Sequence, residues 1–153
     1  MAEKNSSKSS QGAAVLTLPP APPPGTRASQ PPPPRRERWE DAIAVVTVRG
    51  DLDRDGIEAI DFAVMHATAE AGRIVLDLLD VAHLDYAGVG LLVERRRDLS
   101  ARGGQLLIAV RNPYVANILR AGGGADLVLC KSVEEASGAL VSTAQATRQR
   151  RSR

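Results

Sequence analysis

Aromatic residues are scarce. Trp39, Phe62, Tyr86 and Tyr114 are the whole supply in 153 residues. A core must therefore be assembled from Val, Leu, Ile and Ala, within a chain that is 43% apolar. A single cysteine, Cys130, excludes an internal disulfide, and with only His66 and His83 far from it in sequence it forms no zinc site of ordinary spacing. No apolar run approaches the roughly 20 residues of a membrane span. Residues 13–18 are too short for a signal-peptide core and lack its flanks. These absences lead to the expectation of a soluble cytoplasmic protein, compatible with a reducing compartment.

Charge is segregated rather than scarce. The net charge is +2. Residues 1–38 hold six Lys/Arg against two acids, and residues 141–153 hold four Arg and no acid. Residues 39–140 hold ten Lys/Arg against sixteen acids. The basic pI belongs to the tails, and an acidic body argues against nucleic-acid binding by the folded part, whose affinity would come from phosphate neutralisation. The tails themselves could make weak contact with anionic surfaces.

Nine of the ten prolines fall between Pro19 and Pro34. Residues 1–37 are accordingly expected to form a disordered, proline-rich basic tail. An ordered domain is expected over 38–142 and a fraying basic tail over 143–153. Within the domain, Arg38–Glu40 reads as a short edge strand and Ile43–Val48 as a β-branched strand. Ile57, Ile60, Val64, Ala67 and Ala71 recur at helical spacing, so a helix is predicted from about residue 55 to 71, stopped by Gly72. Ile74–Leu78 reads as a buried central strand. A helix from Ala87 to Ala101, a strand over Leu106–Val110, a helix opened by Asn112-Pro113, a strand over Leu127–Cys130 and a last helix behind the capping box Ser132–Glu135 complete the chain. Alternation with short connections predicts an α/β fold, helices on a mostly parallel sheet.

The candidate chemistry reduces by elimination. Asp51–Gly56 matches the first half of an EF-hand loop, but Phe62 stands where the twelfth, bidentate ligand is required. Asp51-Leu-Asp53 lacks the partner residue of a phosphatase pair. Gly88-Val-Gly90 opens like a dinucleotide fingerprint but continues to Val93 where a third glycine belongs. Cys130 reads as core. No triad or carboxylate pair stands out, so the expectation is a non-enzyme without cofactor or metal. The helix start at Asp85-Tyr86-Ala87-Gly88 remains as the place where free backbone amides would gather.

Taken together, Gly50-Asp-Leu-Asp53, Ile74-Val-Leu-Asp-Leu78, Leu84-Asp-Tyr-Ala-Gly-Val-Gly90 and Ala101-Arg-Gly-Gly104 resemble the STAS domain of bacterial anti-sigma factor antagonists over about residues 38–142. The resemblance implies a mixed central sheet of about five strands with about four helices. It also implies a non-catalytic protein-binding role, docking a kinase-type anti-sigma factor or another protein regulator. In that pattern the second serine of Asp-Ser-Ser-Gly is phosphorylated, which would place nearly two negative charges at a helix N-terminus. Here Asp85 and Gly88 are kept, the first serine is Tyr86 and the phosphoacceptor position is Ala87, which cannot take phosphate. The resemblance makes Asp51, Asp53, Asp85, Tyr86, Ala87, Gly88 and Val89 the expected partner-binding residues. A STAS subunit of a transport complex of the lipid-transport kind, or an adaptor tethered by its tails, are the alternatives.

Overall fold

The computed structural model describes residues 14–17 and 35–153; the disorder expected of most of residues 1–37 lies outside the described residues. Five strands make one sheet in the order β1-β2-β3-β4-β5. They are β1 (Ala14–Thr17), β2 (Ile43–Arg49), β3 (Arg73–Asp80), β4 (Gln105–Ala109) and β5 (Val128–Cys130). The helices are α1 (Arg35–Asp41), α2 (Arg54–Glu70), α3 (Ala87–Ala101), α4 (Pro113–Gly123) and α5 (Val133–Arg151). β2 to β5 run parallel, and β1 lies antiparallel along β2.

Each parallel neighbour is reached through one helix, and crossovers of one hand deliver their helices to one face. Period-two alternation matches this. Ala44, Val46 and Val48 of β2, Ile74, Leu76 and Leu78 of β3, and Leu106 and Ile108 of β4 pack with α2, α3 and α4. Val75, Leu107, Ala109 and Cys130 face the other way, against Ala136 and Leu140 of α5. β3 is thus covered on both sides, as its near-continuous apolar run predicts.

Local signals set the helix ends. Asp53 caps α2 by accepting the Gly56 N–H at 2.9 Å. Ser132 accepts the Glu135 N–H at 3.1 Å, and Glu135 reaches back to the Lys131 N–H at 2.8 Å, one residue earlier than in an ordinary capping box.

Three sequence expectations are corrected. Arg38–Glu40 is not an edge strand but part of α1. Helical winding turns Trp39 inward, where its indole N–H donates to the Thr68 carbonyl at 2.7 Å and its own carbonyl accepts the Gly72 N–H at 2.7 Å. The edge of β2 is instead taken by β1, from within the tail expected to lack structure. The tail expected from residue 143 is helical to Arg151. Ala144 is buried, Arg148 pairs with Asp41, and Arg151 Nη1 lies 3.1 Å from Glu40 Oε2, so α5 is held onto α1 beyond the last apolar contact. Arg73 joins them, 3.7 Å from Asp41 and donating to the Leu140 carbonyl at 3.2 Å.

The charged run after Val93 is likewise more than a solvated face. Arg95 chelates Asp61 of α2 and also reaches Asp98 at 3.2 Å, while Arg96 and Arg97 converge on Asp126. The hydrogen-bonded Asp61 carboxylate raises the Arg95 pKa further.

A candidate docking face at two helix starts

β2 leaves the sheet through Gly50, whose φ of 91° is open to glycine at little cost. Asp51 and Asp53 follow, exposed, on either side of Leu52, which is 0% exposed. β3 leaves through Val81, and Leu84, 2% exposed, is anchored in the same way before Asp85. The two connections are joined by an isolated parallel bridge between Leu52 and Leu84. The acidic turn before α2 and the start of α3 therefore share one rim at the carboxyl end of the sheet, where open α/β sheets leave their crevices.

Asp85, Tyr86 and Ala87 are exposed on that rim. Gly88 and Val89 point inward. A Cβ at Gly88 would lie 2.4 Å from Ile57 Cδ1, so the glycine sets how closely α3 approaches α2. Val89 is 1% exposed, and a Cβ at Gly122 of α4 would lie 2.6 Å from its Cγ1. These two residues shape the face from below, and the surface open to contact is Asp51, Asp53, Asp85, Tyr86 and Ala87.

The helix start is not the vacant anion cradle that the sequence suggests. The Ala87 N–H donates to Asp85 Oδ1 at 3.0 Å. The Gly88 and Val89 N–H groups donate to the carbonyls of Asp85 and Tyr86 at 3.0 and 3.1 Å. The Asp85 carboxylate has folded back onto the first amide and main-chain carbonyls take the next two, so the groups a bound anion would otherwise seek are already paired.

Two residues without a place in the motif extend the face. His83 and Tyr114 stack with ring centroids 6.0 Å apart, both exposed. Asn112 holds them together. Its Nδ2 donates to the Ala82 carbonyl at 3.3 Å and its Oδ1 accepts the Tyr114 N–H at 2.9 Å. The available signal was the Asn112-Pro113 helix start, since every helix that follows a parallel strand begins at this end of the sheet. Tyr86 is 62% exposed, with one ring carbon 3.4 Å from the Cβ position of Gly122, so its ring lies along α4.

Cys130 is far from reactive. It is buried, and burial foremost, with Glu135 second, pushes its thiol pKa up, so the nucleophilic thiolate is disfavoured.

Residues 37–136 match the profile of the STAS domain. The chain belongs to the STAS domain family. Among related proteins, the mouse sulfate transporter is 37% identical over 91 residues, covering 60% of this chain but 11% of that protein. Osmosensory protein A of Mycobacterium tuberculosis is 35% identical over 82 residues, covering 54% of this chain and 50% of that protein. The match thus spans half or less of either relative's length. A solved anti-sigma factor antagonist from Mycobacterium paratuberculosis superposes with a TM-score of 0.59 at 20% identity, covering 83% of this chain and 94% of that one. The STAS fold of anti-sigma factor antagonists is therefore the fold of this chain. No helix among the described residues is long and apolar enough to cross a membrane.

Proposed function

We propose that this STAS domain is a non-catalytic docking module of the anti-sigma factor antagonist type. It engages a kinase-type anti-sigma factor or related protein regulator through Asp51, Asp53, Asp85, Tyr86 and Ala87. The Leu52–Leu84 bridge carries the reading, because it sets the acidic turn beside the helix start that the antagonist pattern uses. Ala87 occupies the acceptor position with a methyl group, so docking is constitutive with respect to that site. The supporting likeness is the fold shared with the antagonist from Mycobacterium paratuberculosis.

Calorimetric titration against a kinase-type anti-sigma factor tests the proposal. Ala87→Glu should weaken binding by roughly tenfold or more, since a bulky carboxylate would have to be accommodated and desolvated where a methyl group now meets the partner. Ala87→Ser should take up phosphate from a competent kinase. Unchanged affinity of Ala87→Glu would remove the face from the interface.

The similarity to the mouse sulfate transporter favours one second reading, a STAS subunit serving a transport system. Recovery of a transporter component with the tagged protein, and of no anti-sigma factor, would move the assignment there.

A further inference from the structure

We infer that β1 is an exchangeable strand, and that the outer edge of β2 over Val46–Arg49 accepts the β1 segment of a second copy of this chain. β1 and β2 are antiparallel neighbours, and such neighbours are ordinarily joined by a turn of a few residues. Here residues 18–42 intervene between them. β1 also stands outside the family match, which begins at residue 37.

The tether is long for its gap. Thr17 pairs with Val46, three residues into β2, and α1 enters β2 directly through Ala42. One short helix and a few strand residues put Thr17 and Arg35 no more than roughly 30 Å apart. The seventeen residues 18–34 that join them include nine prolines. A proline-rich chain of that length spans about 50 Å when extended. That reach exceeds the intramolecular gap and is enough to carry the strand to a neighbouring molecule.

The acceptor does not distinguish the two donors. A second copy offers the same four residues in the same register, Ala14 to Arg49 through Thr17 to Val46, and the same ladder hydrogen bonds form. Exchange of an identical element conserves contacts and is set by tether strain and concentration. A four-residue edge strand is also short enough to detach without opening the core. This inference is independent of the docking role proposed above, since it concerns the edge of β2 and not the rim.

The test uses the register pair Leu16 and Thr47 in the full chain with Cys130→Ala. The double variant Leu16→Cys with Thr47→Cys is oxidised at roughly 10 µM and 1 mM, the first far below and the second about equal to the millimolar effective concentration of a tethered segment. The disulfide-linked dimer should rise with concentration. An equimolar mixture of the two single variants should give a mixed disulfide containing one of each. Leu16→Cys mixed with Ile43→Cys, which is out of register, should not. A double variant that closes only within its own chain at both concentrations, with no mixed product, would overturn the inference. So would the absence of any Leu16–Thr47 disulfide, which would remove the β1–β2 pairing itself.

Discussion

Leu52 and Leu84 form a parallel bridge, made by two backbone hydrogen bonds from Leu52 to the residues on either side of Leu84. The Leu52 N–H donates to the His83 carbonyl at 2.8 Å, and the Asp85 N–H donates to the Leu52 carbonyl at 2.9 Å. Both side chains are buried, so the connections before α2 and α3 are anchored to the same core. The bridge is a packing device that aligns exposed residues on either side of it.

Leu52→Ala should cost about 2–5 kcal/mol, as expected for a cavity at a fully buried leucine. Urea denaturation followed by circular dichroism measures it. Because the bridge also positions Asp53 and Asp85, partner affinity should fall even where the variant remains folded. A loss of stability with full affinity would separate the bridge from the face.

Gly88→Ala should destabilise through contact with Ile57. Its new Cβ would meet Cδ1 and Cγ1 at 2.4 and 2.7 Å. Overpacking costs about 1–3 kcal/mol, against a gain of up to about 1 kcal/mol in helix propensity. Ile57→Ala in the same chain should relieve the contact, so a double-mutant cycle by denaturation should show favourable coupling of about 1 kcal/mol or more.

Asp41→Asn should loosen the end of α5 while leaving the sheet intact. Asp41 is shared by Arg73 and Arg148, and the Asp41 side chain is 24% exposed, so water screens it only in part. Loss of about 1 kcal/mol there would raise amide exchange over residues 145–151 roughly fivefold. Hydrogen exchange by mass spectrometry should show that increase without change in β3 or β4. The same segment should loosen in wild type at high salt.

Cys130 sets an alkaline limit. Burial raises its folded pKa above the ordinary 9.0, so between that value and the raised one the folded protein binds more protons than the unfolded chain. The stability contribution is complete below about pH 9 and falls as pH rises through the window. Thermal melts from pH 8 to 10 should show a steeper decline for wild type than for Cys130→Val. A thiol reagent at neutral pH should react far faster in urea than with the native protein.

Much of this protein was legible without coordinates, and the reason is range. Strand β3 could be read from its apolar run, α4 from Asn112-Pro113, and α5 from Ser132 and Glu135. In each case the deciding contacts lie within a few residues. The turn at Gly50–Asp53 and the helix start at Leu84–Gly90 were legible for the same reason, since each carries its own turn and cap.

What only the tertiary structure decided depends on partners far apart in sequence. Trp39 is helical because Thr68 and Gly72 receive it, and α5 continues to Arg151 because Glu40 and Asp41 meet its arginines. Ala14–Thr17 is a strand because β2 has an edge to offer. Val89 faces inward because Gly122 leaves room for it, and Tyr114 joins the face because Asn112 reaches Ala82. The amides at the start of α3 are already satisfied, Ala87 by the Asp85 side chain, Gly88 and Val89 by main-chain carbonyls, which is geometry that a motif does not state. The sequence by itself determined the family, strands β2 to β5, helices α2 to α4 and the start of α5. The packing of distant residues decided which part of the motif is surface, because burial is a property of neighbours brought together by the fold.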